Sequence, residues 1–412
     1  MKARIAAFAV LVAVLAVAAS TAGGATKHSA ASITVWLQVD AQSGWPDVVA
    51  AANSAFSKQH PGVDVNVQYQ TWPTHLAKFD ATLAGGNAPD VIEMGNTEMT
   101  KYMAAGAFQD LSASKSSFDN SGTWLEGLAL SGRYNGKLYG VPYYAGSRVV
   151  TYRKDLFRQA GIRRAPTSLG GFTAAAKTLN AKFGKKGFSP VYIAGQDWYV
   201  AMGFVFDYGG QIAAQVSGKW KGLLASPKSI AGLTAFKNFF DAASRASKTT
   251  IETRPNPYDV YAQGQAASIV GPTWFTCCVG KKYTGVTGQF VMPSHEKGKV
   301  MPGFLGGSDL AVPVGANKAL AVDWIKAFTS TEAEKALEAK GNIPNTTTLF
   351  NPAKINERAA ARSWFVPTAK NWVNVENGNI LRNMLSQILT RKLTVKQAAS
   401  AASDNIESVL NG

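Results

Sequence analysis

Residues 33–40 read ITVWLQVD, residues 63–70 read VDVNVQYQ, and residues 89–92 read PDVI. The first stretch is an almost unbroken apolar run that ends at the polar Gln38 and Asp40, as in a strand buried on both faces. In the second, Val63, Val65, Val67 and Tyr69 alternate with Asp64, Asn66, Gln68 and Gln70. That period of two describes a strand with one buried face. The third is a short apolar strand. Pro46 suits the first turn of a helix between the first two, where Val48, Val49, Ala52, Ala55 and Phe56 recur at helical spacing. That helix stops at His60-Pro61-Gly62. Leu76, Phe79 and Leu83 mark a further helix, which ends at Gly85-Gly86. Strand and helix alternating at this spacing predict an α/β fold whose mostly parallel sheet is covered on both faces.

The pattern continues outward. A strand over Arg148 to Tyr152 leads into a helix beginning near Lys154 to Phe157. Residues 165–290 are richer in helix, and strands return at Ser268-Ile269-Val270 and Leu310-Ala311-Val312. The tail from Ile380 to Leu410 reads as amphipathic helix. Toward the other end, Lys2 and Arg4 precede an apolar run from Ile5 to Ala19 and then small residues from Ser20 to Ala25. Charge, apolar run and small-residue cleavage site, in that order, predict a secretory signal over residues 1–25. The run of about 15 residues falls short of the roughly 20 that span a membrane. The only cysteines are Cys277 and Cys278, so no lipoprotein cysteine is expected. An exported protein is expected. The remaining chain exceeds the roughly 250–300 residues at which a single core stops growing, which predicts two lobes. The formal net charge is +16, but the cations are scattered in pairs such as Lys185-Lys186 and Arg391-Lys392. That pattern gives a solvated surface and no nucleic-acid partner.

The order of several segments resembles the extracellular solute-binding proteins of ABC sugar importers, the class that includes maltose-binding protein. The segments are Gly85-Gly86-Asn87-Ala88-Pro89-Asp90-Val91, Asn135 to Pro142, and Tyr152 to Ile162. They continue with Gln263 to Trp274, Ala321 to Ser330, and Gly341 to Pro344. The resemblance implies a two-lobed periplasmic-binding-protein fold of the second class, with a hinge of crossing segments. By that analogy the first lobe takes residues 33–144 and 298–346, and the second takes 145–297 and 347–412. It implies capture of a carbohydrate between the lobes by hinge closure, delivery to membrane permease subunits, a monomer, and no enzymatic activity.

Ligands of open α/β sheets bind beyond the carboxyl ends of strands. That singles out Gln38 and Asp40, then Asn96 and Glu98, then the loop after Val141-Pro142. A sugar offers a less polar ring face for aromatic planes and an edge of hydroxyls for carboxylates and amides. Tyr143 and Tyr144 lie where the resemblance places pocket residues. It places a further aromatic contact at Asp197-Trp198, an aromatic platform at Trp274, and a looser one at Trp364. In the Gly-rich turn Gly306-Gly307-Ser308-Asp309, Gly307, Ser308 and Asp309 could let backbone approach a ligand. Adjacent Cys277 and Cys278 in an exported chain could form a vicinal disulfide beside the site.

Other functions are less supported. His28, His60, His75 and His295 lack metal-ligand spacing, and no Gly-x-Ser-x-Gly nucleophile motif occurs. No cofactor is expected. Within the binding class, Tyr143-Tyr144 keeps ferric iron open as cargo. Asp40, Glu93, Glu98 and Asp197 keep a polyamine open.

Overall fold

The computed structural model describes residues 31–351 and 353–412, and the side chains of Glu126 and Cys277 are not among those described. The expected signal segment lies outside these residues. Strand β1 (Ala31–Gln38) pairs in parallel with β2 (Val63–Gln70) and with β3 (Val91–Gly95). Side chains alternate across β1 as its geometry requires. Ile33, Val35 and Leu37 enter one core, with Phe56 of the helix Pro46–Gln59 and Trp324 of the helix Lys318–Phe328. Trp36 enters the opposite core with Phe79, Met94, Tyr102 and Phe108. Both faces of this sheet are therefore covered by helices, as the near-continuous apolar run in β1 demands.

Two strands that cross between lobes complete the frame. Strand β4 (Gly140–Gly146) belongs to the first lobe. After Ser147 the chain enters β5 (Arg148–Arg153) of the second lobe. There β5 is the centre of a three-stranded antiparallel sheet, between β6 (Ser268–Pro272) and β7 (Thr287–Phe290). Parallel bridges from Ser189 and Tyr192 extend β6. The return passes from β8 (Gly303–Phe304) through Leu305 into β9 (Gly306–Ala311). Strand β9 runs antiparallel between β3 and β4, and β10 (Ile343–Pro344) closes the edge beside β4. The first sheet thus has the order β10-β4-β9-β3-β1-β2. A third passage follows β10 and reaches the helix Ile355–Ala360 and β11 (Ser363–Trp364), which pairs with β8.

The second passage falls at Leu305 and not at residue 298. Met301 and Phe304 are packed in the second lobe's core, whereas Leu305 is buried with Leu128, Ala145 and Ile343 of the first. The second sheet also differs from a parallel arrangement. Its middle strand is a crossing strand, and both neighbours meet it in the antiparallel sense. The second core is rich in aromatic and aliphatic side chains, including Phe172, Phe204, Phe236, Trp364 and Trp372. Among the described residues, no helix is long and apolar enough to cross a membrane.

Candidate functional site

A cleft of about 820 Å³ opens between the lobes. Trp72, Asn96, Glu98 and Gly307 line it from the first lobe, and Tyr199, Arg254, Glu376 and Arg382 from the second. It lies beyond the carboxyl ends of β1, β2 and β3, where open α/β sheets place their ligands.

The first wall is a linked set of side chains. The Trp72 indole donates to Asp40 Oδ2 at 2.6 Å, which fixes the ring's edge and leaves 37% of the residue exposed. The Trp72 carbonyl faces His75 Nδ1 at 2.9 Å, and His75 Nε2 lies 2.9 Å from Glu98 Oε2. A carbonyl can only accept, so Nδ1 is the donor there. That leaves Nε2 free to pair with the carboxylate as an imidazolium. Burial pulls the His75 pKa down, but the bond to Glu98, its charge and the Trp72 carbonyl outweigh this and raise it above 6.5. Glu98 also accepts from the Gly95 amide at 2.9 Å. A Cβ on Gly95 would stand 2.9 Å from Glu98 Oε2 and 3.3 Å from the Trp72 ring, so glycine there lets the carboxylate and the indole approach.

Beneath this wall the side chains serve the frame. The Asn96 amide nitrogen donates to the Leu305 carbonyl and its backbone N–H donates to the Gly307 carbonyl, both at 2.9 Å. Asn96 thus ties the end of β3 to the second crossing, and it borders the cleft from there. The Gln38 backbone N–H donates to Glu93 Oε2 at 2.8 Å, and both residues are buried. Burial pushes the Glu93 carboxyl up to about 7. Ser308 and Asp309 are buried within the sheet, and burial likewise raises Asp309 to about 7. Gly307 alone of that trio lines the cleft. A Cβ at Gly307 would stand 2.1 Å from the Tyr144 carbonyl oxygen. Tyr143 is fully buried, receives a hydrogen bond from the Trp45 indole, and packs on Phe328. Tyr144 packs on Trp45 at 5.1 Å. The structure brings neither tyrosine among the residues lining the cleft.

In the second lobe, Asp197 caps the helix Trp198–Asp207 by accepting from the Val200 amide at 3.1 Å. Burial pushes its carboxyl up to about 6. Trp198 is buried between Tyr199, Trp364 and Trp372. The next residue, Tyr199, is the one that reaches the cleft, with the Arg148 guanidinium 4.2 Å above its ring. Trp364 is buried against Phe206 and Phe304 and borders a separate cavity with Leu125 and Phe350. Trp274 is 45% exposed, the most open tryptophan of the described residues, and lies against Tyr258 and Phe275. The Tyr258 phenol is raised by burial, by Asp259 and by Asp40 of the other lobe.

Charges in the cleft are mostly matched. Arg382 donates to Glu252 Oε1 at 2.6 Å, and Lys101 pairs with Asp80 at 3.0 Å. Glu376 accepts from the Trp372 indole at 2.6 Å. Burial, and then Glu98 across the cleft, push its carboxyl up to about 7. Among the described residues, no three His, Cys, Asp or Glu side chains are grouped to hold a metal. Cys278 is disulfide-bonded, and the chain contains one other cysteine, Cys277. Trp72 and Tyr199 carry no motif of their own. Trp72 does lie just past β2, where the strand-end rule points.

Residues 51–362 match the model of the bacterial extracellular solute-binding protein family. The chain is 31% identical over 390 residues to the diacetylchitobiose binding protein DasA of Streptomyces coelicolor, covering 92% of this chain and 89% of that one. It is 24% identical to a maltooligosaccharide ABC transporter solute-binding lipoprotein of Streptococcus pneumoniae, over 76% and 72% of the two chains. The GacH receptor of Streptomyces glaucescens, solved unliganded and with acarbose, superposes with a TM-score of 0.78 at 20% identity. That match covers 92% of this chain and 98% of the receptor, and it speaks for the fold alone.

The His75–Glu98 pair has a pH signature. A group whose pKa is raised by folding contributes stability below its unfolded pKa, and that stability is lost as pH rises through the folded value. Urea unfolding of the wild type against His75→Gln is expected to show the wild type's advantage largest below about pH 6.5. The advantage shrinks above that point. A difference that does not change from pH 5 to 9 would remove the ion pair from the account.

Proposed function

The chain belongs to the bacterial extracellular solute-binding family, and on that footing we propose that it is the carbohydrate-capturing subunit of an ABC importer. The observation that carries this reading is one cleft lined by aromatic residues of both lobes: the exposed Trp72 on one side, and on the other the edge of Tyr199, whose two ring faces are covered by Trp198 and Arg148. Aromatic faces cover the less polar face of a sugar ring. Glu98, Arg254 and Glu376 line the same cleft and are placed to bond its hydroxyls. A di- or oligosaccharide suits a cleft of about 820 Å³ better than a single ring.

Capture proceeds by closure. A sugar held by Trp72 and Glu98 gains the contacts of Tyr199 and Arg254 only when the lobes approach, so the ligand favours the closed state. The closed protein presents a surface that the membrane permease subunits recognise. We read the chain as an exported, monomeric, non-catalytic protein without a lipoprotein cysteine or a nucleic-acid partner. A polyamine is the weaker cargo, because the acids Asp80, Glu98 and Glu376 of the cleft are offset there by Lys101, Arg254 and Arg382, which leaves no excess of negative charge for a polycation. Ferric iron is weaker still, because Tyr143 lies in the core.

The first test is a thermal-shift screen with N,N′-diacetylchitobiose, maltose and longer maltooligosaccharides, with spermidine and ferric citrate alongside. A ligand specific to the native state, at 100 times its dissociation constant, adds about 2.7 kcal/mol of stability. The expected result is a rise with one oligosaccharide family, and a loss of about tenfold in affinity for Trp72→Ala or Trp274→Ala. A rise with spermidine or iron and none with any sugar would overturn the reading. Cys277 and Cys278 are proposed to form a vicinal disulfide beside Trp274. Alkylation of the native, unreduced protein should add no mass, and two added groups would exclude the bond.

A further inference from the structure

A second concavity, of about 510 Å³, lies on the second lobe. It shares no lining residue with the interlobe cleft. Its cations come from separate elements: Arg153 from the end of β5, Lys182 from the helix Leu169–Phe183, and Lys185 from the loop after it. Tyr283, from the turn Lys281–Val286, forms part of its wall, and Phe183 and Leu156 add an apolar part. No acidic side chain lines it.

The cations are arranged around the tyrosine. The Arg153 guanidinium stands 3.7 Å from the Tyr283 ring centroid, and Lys282 Nζ stands 4.7 Å from it. Asp155 accepts two bonds from Arg153, at 2.8 and 2.6 Å, and so fixes the orientation of the guanidinium. Lys182 donates to the Gln159 carbonyl, a neutral partner. Lys185 and Lys282 make no ion pair among the described residues, so their charges are not compensated from within the fold. Burial raises the Tyr283 phenol, but Lys282 and Arg153 together bring it below its ordinary value. The lysines near the carboxyl end of the helix also complement its dipole. That accounts for Lys182, and Asp155 accounts for Arg153, which leaves Lys185 and Lys282 unexplained.

We propose that this groove is an anion-binding site separate from the sugar cleft, and that it takes a phosphate-bearing polyanion. Arg153 and Lys182 hold one phosphate, Lys185 and Lys282 the neighbouring ones, and the Tyr283 hydroxyl donates to the chain. Asp155 takes the Nε and Nη2 donors of Arg153, so Nη1 is the donor that faces a phosphate oxygen, and each lysine serves as a point charge. For a protein of the extracellular solute-binding family with net charge +16, such a site would hold the capture subunit near a phosphate-rich surface.

The test is fluorescence anisotropy of labelled short-chain polyphosphate with the full chain at fixed salt. The double variant Lys185→Glu/Lys282→Glu is compared with the charge-matched Lys58→Glu/Lys335→Glu on the first lobe. The expected result is about a tenfold loss of affinity for the first and less than about twofold for the second. Unlabelled tripolyphosphate should displace the probe, and inorganic phosphate at equal phosphorus concentration should not. Equal losses in both variants would mean attraction to overall charge and overturn the site. Displacement by inorganic phosphate would overturn the polyanion. Thermal midpoints and sugar binding are read on the same variants, and both should match the wild type.

Discussion

The pairing of Gly306 with Gly146, where two crossing segments run side by side, is the constraint on which the molecule depends. Strands β4 and β9 are antiparallel neighbours in the first sheet, and at the same end β4 leaves for the second lobe and β9 arrives from it. Glycine is required close by. A Cβ at Gly303 would stand 2.8 Å from Ser147 Oγ, and one at Gly307 would meet the Tyr144 backbone. With the two segments this close, the lobes are joined along a narrow line, to which the third passage and the bond from Thr273 to the Gly341 carbonyl add. Relative motion is then rotation about that line, the form of a hinge. The cleft is the space that rotation opens and closes.

The chemistry of the cleft follows from what each lobe can fix in place. In the first lobe the Asp40–Trp72 bond and the Glu98–His75 pair are held by strand ends. In the second, Tyr199 is backed by Arg148 on one face and Trp198 on the other. Each half is pre-organised and incomplete, which is the condition for a ligand to drive closure. To carry a two-state equilibrium from 1:99 to 99:1, a ligand must favour the closed state by about 5.5 kcal/mol. One aromatic contact, at about 0.5–1.5 kcal/mol beyond its buried area, cannot supply that. Several contacts from the second lobe are needed, and Tyr199, Arg254, Glu376 and Arg382 are placed to provide them.

Much of this was legible in the sequence, and the misses have physical causes. The apolar run of β1 and the alternation of β2 defined the first sheet, and the strand-end rule led to Asp40, Asn96 and Glu98. Trp72 lies past β2 and is not singled out, because nothing in the residue type separates a cleft tryptophan from a core one. Tyr143 and Tyr144 were ambiguous because a strand alternates faces, and the packing of Trp45 and Phe328 took Tyr143 inward. Trp198 and Tyr199 differ by one helical position, about 100° of rotation, which propensity does not fix. The Gly-Gly pair before Ser308 and Asp309 reads as a turn, but the strand begins at Gly306 and carries both into the sheet. Trp364 is core, held by Phe206 and Phe304, which are distant in the chain and so not legible beside it.

The account stands most directly on the hinge. Small-angle X-ray scattering of the full chain, with and without a saturating oligosaccharide that raises its melting temperature, measures it. Closure about the Gly146–Gly306 line predicts a smaller radius of gyration in the bound state, with a profile that matches the lobes rotated together. A sugar that binds tightly and leaves the profile unchanged would contradict capture by closure and make the cleft a rigid site.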